Sequence, residues 1–313
     1  MEITANTIKK YMKNKYLLTA IFEEVRIVRV LITGGKGQLG IELKYLLENY
    51  YEVYAWDLEE LDITQREKTI NEIRSLDPDL VINCAAYTDV DGCEENADLA
   101  YKINAYGARN IAVACQEIGS IMVHISTDFV FDGNNDNPYI ESDQANPLNI
   151  YGKSKLIGEE FVSNLLDKYF IIRTAWLYGA HGDNFIHTML RLANKKDLLT
   201  VVDDQIGSPT YTKDLALVIK KLIATKLYGL YHASNNGQCS WYEFAKKIFE
   251  YTNTNVKVKP VTSKEFIRTA TRPAYSVLKN YSLEENLNYK MRDWQEALKD
   301  YLNSKNEGDR YEN

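Results

Sequence analysis

Hydrophobic and polar positions along the chain follow two rhythms. Short apolar or β-branched runs recur at Val30-Leu31-Ile32-Thr33, Val53-Tyr54-Ala55-Trp56-Asp57, 80–86, Ile121–Thr127 and Tyr169–Thr174. The runs at 30–33, 80–86 and 121–127 are almost unbroken, which suits strands of a parallel sheet buried on both faces. Between them, apolar residues return every three or four positions over 41–47, 65–75, 97–118 and 150–166, which predicts helices. Gly119 ends the longest of these, and Asp77-Pro78-Asp79 forms a turn. Strand and helix alternating in this way predict an α/β fold with a doubly wound, right-handed parallel sheet of Rossmann type.

Beyond Gly179 the rhythm loosens. Helices are expected over 184–193 and 212–221, after the capping Ser240 through 249, and over 294–302. Strands are expected at 198–202, 229–233 and 257–261, with a turn-rich loop over 203–210. These segments read as a smaller mixed α/β lobe. The expected organisation is an N-terminal extension over 1–27, an NAD(P)-binding domain over 28–179, a mainly substrate-binding lobe over 180–303 with some segments returning to the sheet, and a polar, frayed tail over 304–313. In the extension, Lys9, Lys10, Lys13 and Lys15 precede a short apolar run and so mimic a signal peptide. No small-residue cleavage site follows and Glu23-Glu24 interrupts the run, so one helix or a disordered arm is expected instead.

Composition narrows the classes. A length of 313 residues allows one large α/β unit or a domain plus a lobe. A net charge of −7 without a basic run argues against a nucleic-acid partner. No apolar stretch reaches the roughly 18 residues of a membrane span. Cys84, Cys93, Cys115 and Cys239 show no paired spacing, and Cys84 and Cys115 read as buried free thiols. The four histidines are scattered, so no metal cluster is expected, and His124, inside a strand, reads as a satisfied core residue. A reducing, cytoplasmic setting fits this cysteine usage.

Two constellations carry chemistry. The first is Gly34, Gly37 and Gly40 between the first strand and its helix. Such a turn lets the backbone approach a dinucleotide pyrophosphate at a helix N-terminus. Asp57 ends the second strand 20 residues after Gly37, where an acid can bond the adenosine ribose. The second is Tyr151 and Lys155, at i and i+4 on one helix face. A phenol has an ordinary pKa near 10, and a neighbouring cation is expected to lower it and fit Tyr151 for proton transfer to a carbonyl oxygen. Ser126 and Thr127 end the strand before the long loop over 128–147, so either can donate to the same carbonyl.

Taken together, Thr33–Gly40, Ser126-Thr127-Asp128-Phe129-Val130-Phe131-Asp132-Gly133, Tyr151-Gly152-Lys153-Ser154-Lys155, Arg173-Thr174-Ala175-Trp176-Leu177-Tyr178-Gly179, the Asp204-Gln205-x-Gly207-x-Pro209-Thr210 run and Arg272-Pro273-x-x-Ser276 resemble the extended short-chain dehydrogenase/reductases. Within them the resemblance is to the dTDP-4-dehydrorhamnose reductase family, over about 28–301. It implies reduction of the 4-keto group of dTDP-4-dehydro-6-deoxy-L-mannose by NADH or NADPH, giving dTDP-L-rhamnose. It implies that Gly34, Gly37, Gln38 and Leu39 cradle the pyrophosphate, that Asp57, Asp62 and Ile63 border the adenosine end, and that Ala86, Tyr87 and Thr88 lie along the cofactor. Thr88, Val90, Thr127, Asp128, Phe129 and Trp176 would meet the sugar nucleotide. Tyr151 would be the proton donor, and Lys155 would hold the nicotinamide ribose. Phe129 stands where many relatives carry tyrosine, which removes one hydroxyl contact. Asp57 favours NADH, because its charge repels a 2′-phosphate. Some relatives dimerise around Mg²⁺, and Glu42 matches one position used there, so a monomer or homodimer is expected.

Two other readings stand beside this one. A dehydratase of the same scaffold carries an Asp-Glu pair after the strand-ending Thr, whereas here Asp128 is followed by Phe129; an epimerase usually lacks the Thr-Asp-Phe-Val-Phe-Asp-Gly run. A non-catalytic subunit of a methionine adenosyltransferase shares the fold, and intact Tyr151 and Lys155 weigh against it.

Overall fold

The structure, a computed structural model, describes residues 28–308. The extension over 1–27 lies outside the described residues. The first half runs β1 (Arg29–Thr33), α1 (Gln38–Leu47), β2 (Glu52–Trp56), α2 (Arg66–Leu76), β3 (Leu80–Asn83), α3 (Val90–Glu95), α4 (Ala97–Ala100), a π-helical turn (Tyr101–Gly107), α5 (Ala108–Ile118), β4 (Ile121–Thr127), α6 (Ile150–Leu165) and β5 (Tyr169–Thr174). The second half runs β6 (Leu177–Tyr178), α7 (Phe185–Ala193), β7 (Leu198–Val202), β8 (Ile206–Gly207), β9 (Thr210–Tyr211), α8 (Thr212–Ile223), β10 (Gly229–His232), β11 (Cys239–Ser240), α9 (Trp241–Tyr251), β12 (Lys257–Val261), α10 (Tyr281–Leu287) and α11 (Trp294–Gly308).

The main sheet has six parallel strands in the order β10-β5-β4-β3-β1-β2. Residues alternate across it with the period of two that a strand imposes. Val30 and Ile32 face a layer made with Leu39, Leu43 and Leu47 of α1 and Leu215, Val218, Ile219 and Leu222 of α8. Leu31 faces the opposite layer, with Ile73 of α2, Ile111 and Cys115 of α5 and Val162 of α6. Burial on both faces is why the sequence shows runs rather than alternation. A separate cluster, including Tyr178, Leu199, Val201, Phe244, Ile248 and Trp294, forms the core of the second half. There β12 pairs with β7, β11 with β8 and β6 with β9.

Chain order reverses between β1 and β3, and this switch opens a crevice at the strand C-termini. The turn after β1 lies there. Gly34 has φ +68°, and a Cβ on it would stand 2.7 Å from the Ala85 nitrogen. A Cβ on Gly40 would stand 2.2 Å from the Gly34 carbonyl oxygen. These contacts let α1 start directly under the turn.

Several elements differ from the sequence reading. Between the strand expected at 80–86 and the helix expected over 97–118 lies α3, because the Asp89 carboxylate accepts from Gly92 N at 3.0 Å and caps a short helix. The helix expected over 97–118 is interrupted by the π-turn, whose Asn104 side chain is turned aside to bond the Tyr87 backbone and Ser154. β3 stops at Asn83, and α10 was not expected. α11 continues to Gly308, past the expected end at 302. His124 is buried, but only its Nδ1 is bonded, to Asn83 at 3.0 Å; Nε2 lacks a partner among the described residues. Burial holds its pKa well below the ordinary value, so the ring is neutral. Cys115 is buried as expected, whereas Cys84 is only half-buried.

The turn gives a direct test. Gly40→Ala should force the backbone at Gly34 to move, costing roughly 1–3 kcal/mol. Thermal melting and dinucleotide titration should show lower stability together with weaker binding. Unchanged binding would show that the turn tolerates the shift.

Candidate active site

A cleft of about 1090 Å³ follows the switch point. At one end lie Gly34, Gly37, Gln38 and Leu39, with Asp57, Asp62 and Ile63 beside them. Ala86, Thr88 and Val90 line its middle, and Thr127, Asp128, Phe129, Tyr151, Lys155 and Trp176 its other end. The fold therefore brings Gly34 and Trp176, 142 positions apart, into one cleft. Tyr87 is the exception. It is not part of the cleft lining: its backbone bonds Asn104, and its hydroxyl would stand 2.5 Å from a Cβ on Gly92.

The glycine end fits a dinucleotide. Gly37 caps α1 without a side-chain hydrogen bond, so the first helical N–H groups face the cleft. The Gln38 side chain is engaged elsewhere: Nε2 donates to the Asp183 carbonyl at 3.3 Å and Oε1 accepts from Asn184 at 3.4 Å. Only its backbone is left for a pyrophosphate. Asp57 is fixed at the end of β2, accepting from Lys36 N and Leu58 N, both at 2.8 Å. The Lys36 ammonium pairs with Glu59 on the exposed rim.

At the other end, α6 is aimed by its cap. Asn149 Oδ1 accepts from Gly152 N at 2.8 Å, and Glu94 Oε1 accepts from Ile150 N at 2.7 Å. This leaves Tyr151 in the first turn of α6, facing the cleft. One turn later, Lys155 is 2% exposed and its Nζ donates to the Ile125 carbonyl at 2.5 Å. Burial lowers the Lys155 pKa to about 8, with Glu159 and Cys84 opposing the shift. Burial also raises the Tyr151 phenol well above its ordinary value, with Thr127 opposing the shift. The expected lowering by Lys155 is not found, because the low dielectric penalises the phenolate and the ammonium points at the Ile125 carbonyl. Tyr151 is thus held protonated.

Behind α6 lies a buried ion pair. Arg173 binds both oxygens of Glu159, through Nε at 2.9 Å and Nη2 at 2.7 Å, and Ser126 Oγ also donates to Glu159. The Arg173 guanidinium lies 5.2 Å from the centroid of Phe131. This locks α6 to β4 and β5 and explains why Arg173 belongs in the motif.

Trp176 has φ +46°, a left-handed conformation that costs a bulky residue on the order of 1–3 kcal/mol. Its ring stacks on Trp241 at 3.5 Å and 7°, and a Cβ on Gly207 would stand 2.5 Å from it. Trp176 is therefore both packed and exposed to the cleft, the arrangement of a platform for a ring-shaped ligand. Phe129 meets Tyr151 edge-on at 5.7 Å.

A family model described as the RmlD substrate binding domain matches residues 28–307. The chain is 46% identical over 277 residues to the spore coat polysaccharide biosynthesis protein SpsK of Bacillus subtilis, covering 88% of this chain and 97% of that one. It is 42% identical over 287 residues to a dTDP-4-dehydrorhamnose reductase of Aggregatibacter actinomycetemcomitans, covering 87% and 98%. The crystal structure of the Bacillus anthracis dTDP-4-dehydrorhamnose reductase, in complex with NADP, matches with a TM-score of 0.87 at 49% identity, covering 89% and 99%. The chain belongs to the dTDP-4-dehydrorhamnose reductase family.

Within this family member, the sequence reading missed several residues that shape the site. Trp241 follows a helix cap and carries no local hint of its stack on Trp176. Arg272 and Ser276 were visible in a motif, but their partners were not. Arg272 also lines the cleft and grips Asp91 of α3 through Nη1 at 3.1 Å and Nη2 at 2.9 Å, while Ala270 N donates to the same carboxylate at 3.0 Å. Arg268 stands 3.5 Å from it as well, and these contacts hold the Asp91 carboxyl below its usual range. Asn149 Nδ2 donates to the Thr271 carbonyl at 2.8 Å. Residues 270–279 form a strap from the second half across the mouth of α6. Glu42 is half-buried, and burial raises its pKa against His181 and Lys213. Among the described residues, no group of three His, Cys, Asp or Glu side chains is placed to hold a metal.

Arg272→Ala should loosen this strap. Hydrogen bonds to a charged group are worth about 1.5–3 kcal/mol, so the melting point should fall by several degrees. Amide exchange should rise at Ala270 and around Asn149. Unaltered exchange would show that the remaining bonds suffice.

Proposed function

We propose that the protein is an NAD(P)H-dependent reductase converting dTDP-4-dehydro-6-deoxy-L-mannose to dTDP-L-rhamnose. The observation that carries this reading is that Tyr151, Thr127 and Lys155 share one cleft with the glycine turn at its far end and with Trp176 beside them. The uncapped α1 terminus, Asp57 and Lys155 suit a nicotinamide dinucleotide in an extended pose. The bound cofactor supplies a hydride. Tyr151, held neutral, gives its proton to the keto oxygen, and Thr127 donates to the same oxygen or to the phenol. Lys155 offers its ammonium to the nicotinamide ribose. Trp176 stacks against the deoxysugar. Residues 28–179 serve mainly the cofactor and residues 180–303 mainly the sugar nucleotide, and the enzyme works in the cytoplasm. No helix among the described residues is long and apolar enough to cross a membrane.

The decisive assay follows oxidation of NADH and NADPH in parallel, with the keto-sugar generated in situ. Formation of dTDP-L-rhamnose, faster with NADH because of Asp57, is the expected result. Tyr151→Phe should lower kcat by at least a hundredfold, the usual scale for a lost general acid, while cofactor affinity stays within about threefold. Unchanged turnover in that variant rules out Tyr151 as the donor.

Lys155 gives a pH dependence. With its pKa lowered to about 8, the ammonium is present below that pH and lost above it. Cofactor affinity, followed by fluorescence, should therefore weaken as pH rises through about 8. Lys155→Met should bind weakly at every pH. A flat wild-type profile would show that the ammonium does not contribute.

A further inference from the structure

Each reduction takes one hydride and one proton. Once the keto oxygen has taken the Tyr151 proton, a phenolate remains in a site that strongly disfavours it. A new proton must arrive before the next turnover. The groups around Tyr151 offer a route that the reductase reading above does not use.

Thr127 and Tyr151 line the same cleft, where Thr127 acts to lower the phenol's pKa. The Thr127 Oγ1 donates to Asp128 Oδ1 at 3.0 Å and accepts from Phe129 N at 3.1 Å. Asp128 is 2% exposed. Its second oxygen, Oδ2, accepts from Ser276 Oγ at 2.6 Å, and Ser276 lies on the strap, 148 residues along the chain. Among the described residues, no cation stands within ion-pair distance of Asp128. A buried carboxyl bonded by two hydroxyls and no cation is poised to take up and release a proton. Burial raises its pKa to about 6, with the Ser276 and Thr127 hydroxyls opposing the shift.

We propose that Asp128 reloads Tyr151 through the Thr127 hydroxyl, and that Ser276 holds Asp128 in place for this transfer. The inference rests on the reductase reading. A threonine hydroxyl has one proton and two lone pairs, so it serves both settings. With Asp128 protonated, Thr127 accepts from Asp128 and turns its own O–H to the phenolate. In the transfer the Asp128 O–H bond breaks and a new Thr127 O–H bond forms. The original Thr127 proton passes to the Tyr151 oxygen. Thr127 ends neutral, Tyr151 is restored, and Asp128 is left as a carboxylate. It then accepts the Thr127 O–H and the Ser276 O–H, which is the arrangement in the structure. Water entering the emptied cleft returns the proton to Asp128. Ser276 is a positioning residue, since it reaches the reacting oxygen only through Asp128.

The test separates the first turnover from those that follow. Asp128→Asn keeps the size of the side chain and an acceptor for Thr127 but cannot pass a proton. With enzyme in excess of about a tenth of the keto-sugar, the wild type should show steady oxidation of reduced cofactor. Asp128→Asn should show a burst of one oxidation per site, because Tyr151 starts protonated, and then turnover at least tenfold slower than its own burst. Ser276→Ala should show the same burst with a smaller loss of kcat and an unchanged KM, and Ser276→Thr should restore kcat. Infrared difference spectra near pH 6 should contain a protonated-carboxyl band that Asp128→Asn removes. Burst and steady rate falling together in Asp128→Asn would assign Asp128 to substrate binding or chemistry and overturn the relay. So would full turnover in that variant, or the absence of its carboxyl band from the wild type. Cofactor titration shows whether each variant is folded. No oxidation by the wild type would overturn the reductase reading, and the relay with it.

Discussion

Everything at this site depends on how closely α1 approaches the end of β1. The Gly40 Cα sits where any side chain would collide with the Gly34 carbonyl, and Gly34 itself packs against the backbone after β3. Only that contact brings a helix N-terminus, with its unpaired N–H groups, to the point where the sheet reverses direction. The remaining functional groups are arranged along the crevice that this reversal opens.

A second constraint is electrostatic. The Glu159–Arg173 pair is almost wholly buried, and removing one partner of such a pair typically costs about 3–5 kcal/mol. It fixes α6 against β4 and β5, so that Lys155 meets the Ile125 carbonyl and Tyr151 faces Thr127. It also places a carboxylate one turn from Lys155, which opposes the loss of its proton. The same low dielectric acts in opposite senses on two neighbours, keeping the phenol protonated and easing deprotonation of the amine. Position, more than the mutual influence of the two groups, sets both.

The third constraint is topological. The strap over 270–279 leaves the second half, pairs with Ile206 and Tyr139, and reaches Asp91, Asn149 and Asp128 in turn. It joins the two cores at the mouth of the cleft. The stack of Trp176 on Trp241 lies at the edge of the second core and holds a strained backbone in place.

The sequence by itself determined the sheet, its strands and the two chemical motifs. Each rests on short-range regularities: unbroken apolar runs, helical spacing, glycines at the turn, and the i, i+4 pairing of Tyr151 with Lys155. Boundaries shifted where a side chain found a local partner, as Asp89 did in capping α3 and Asn104 did in opening the π-turn. The tertiary structure alone decided which of the motif residues touch. Ser276 and Asp128 lie 148 positions apart, and Trp176 lies between β5 and β6 whereas Trp241 opens α9. It also decided the charge state of Tyr151, since a pKa follows from burial and from the direction of the Lys155 ammonium, neither of which is written in spacing. Periodicity encodes which face of an element is buried, but contact between distant elements depends on how those faces pack.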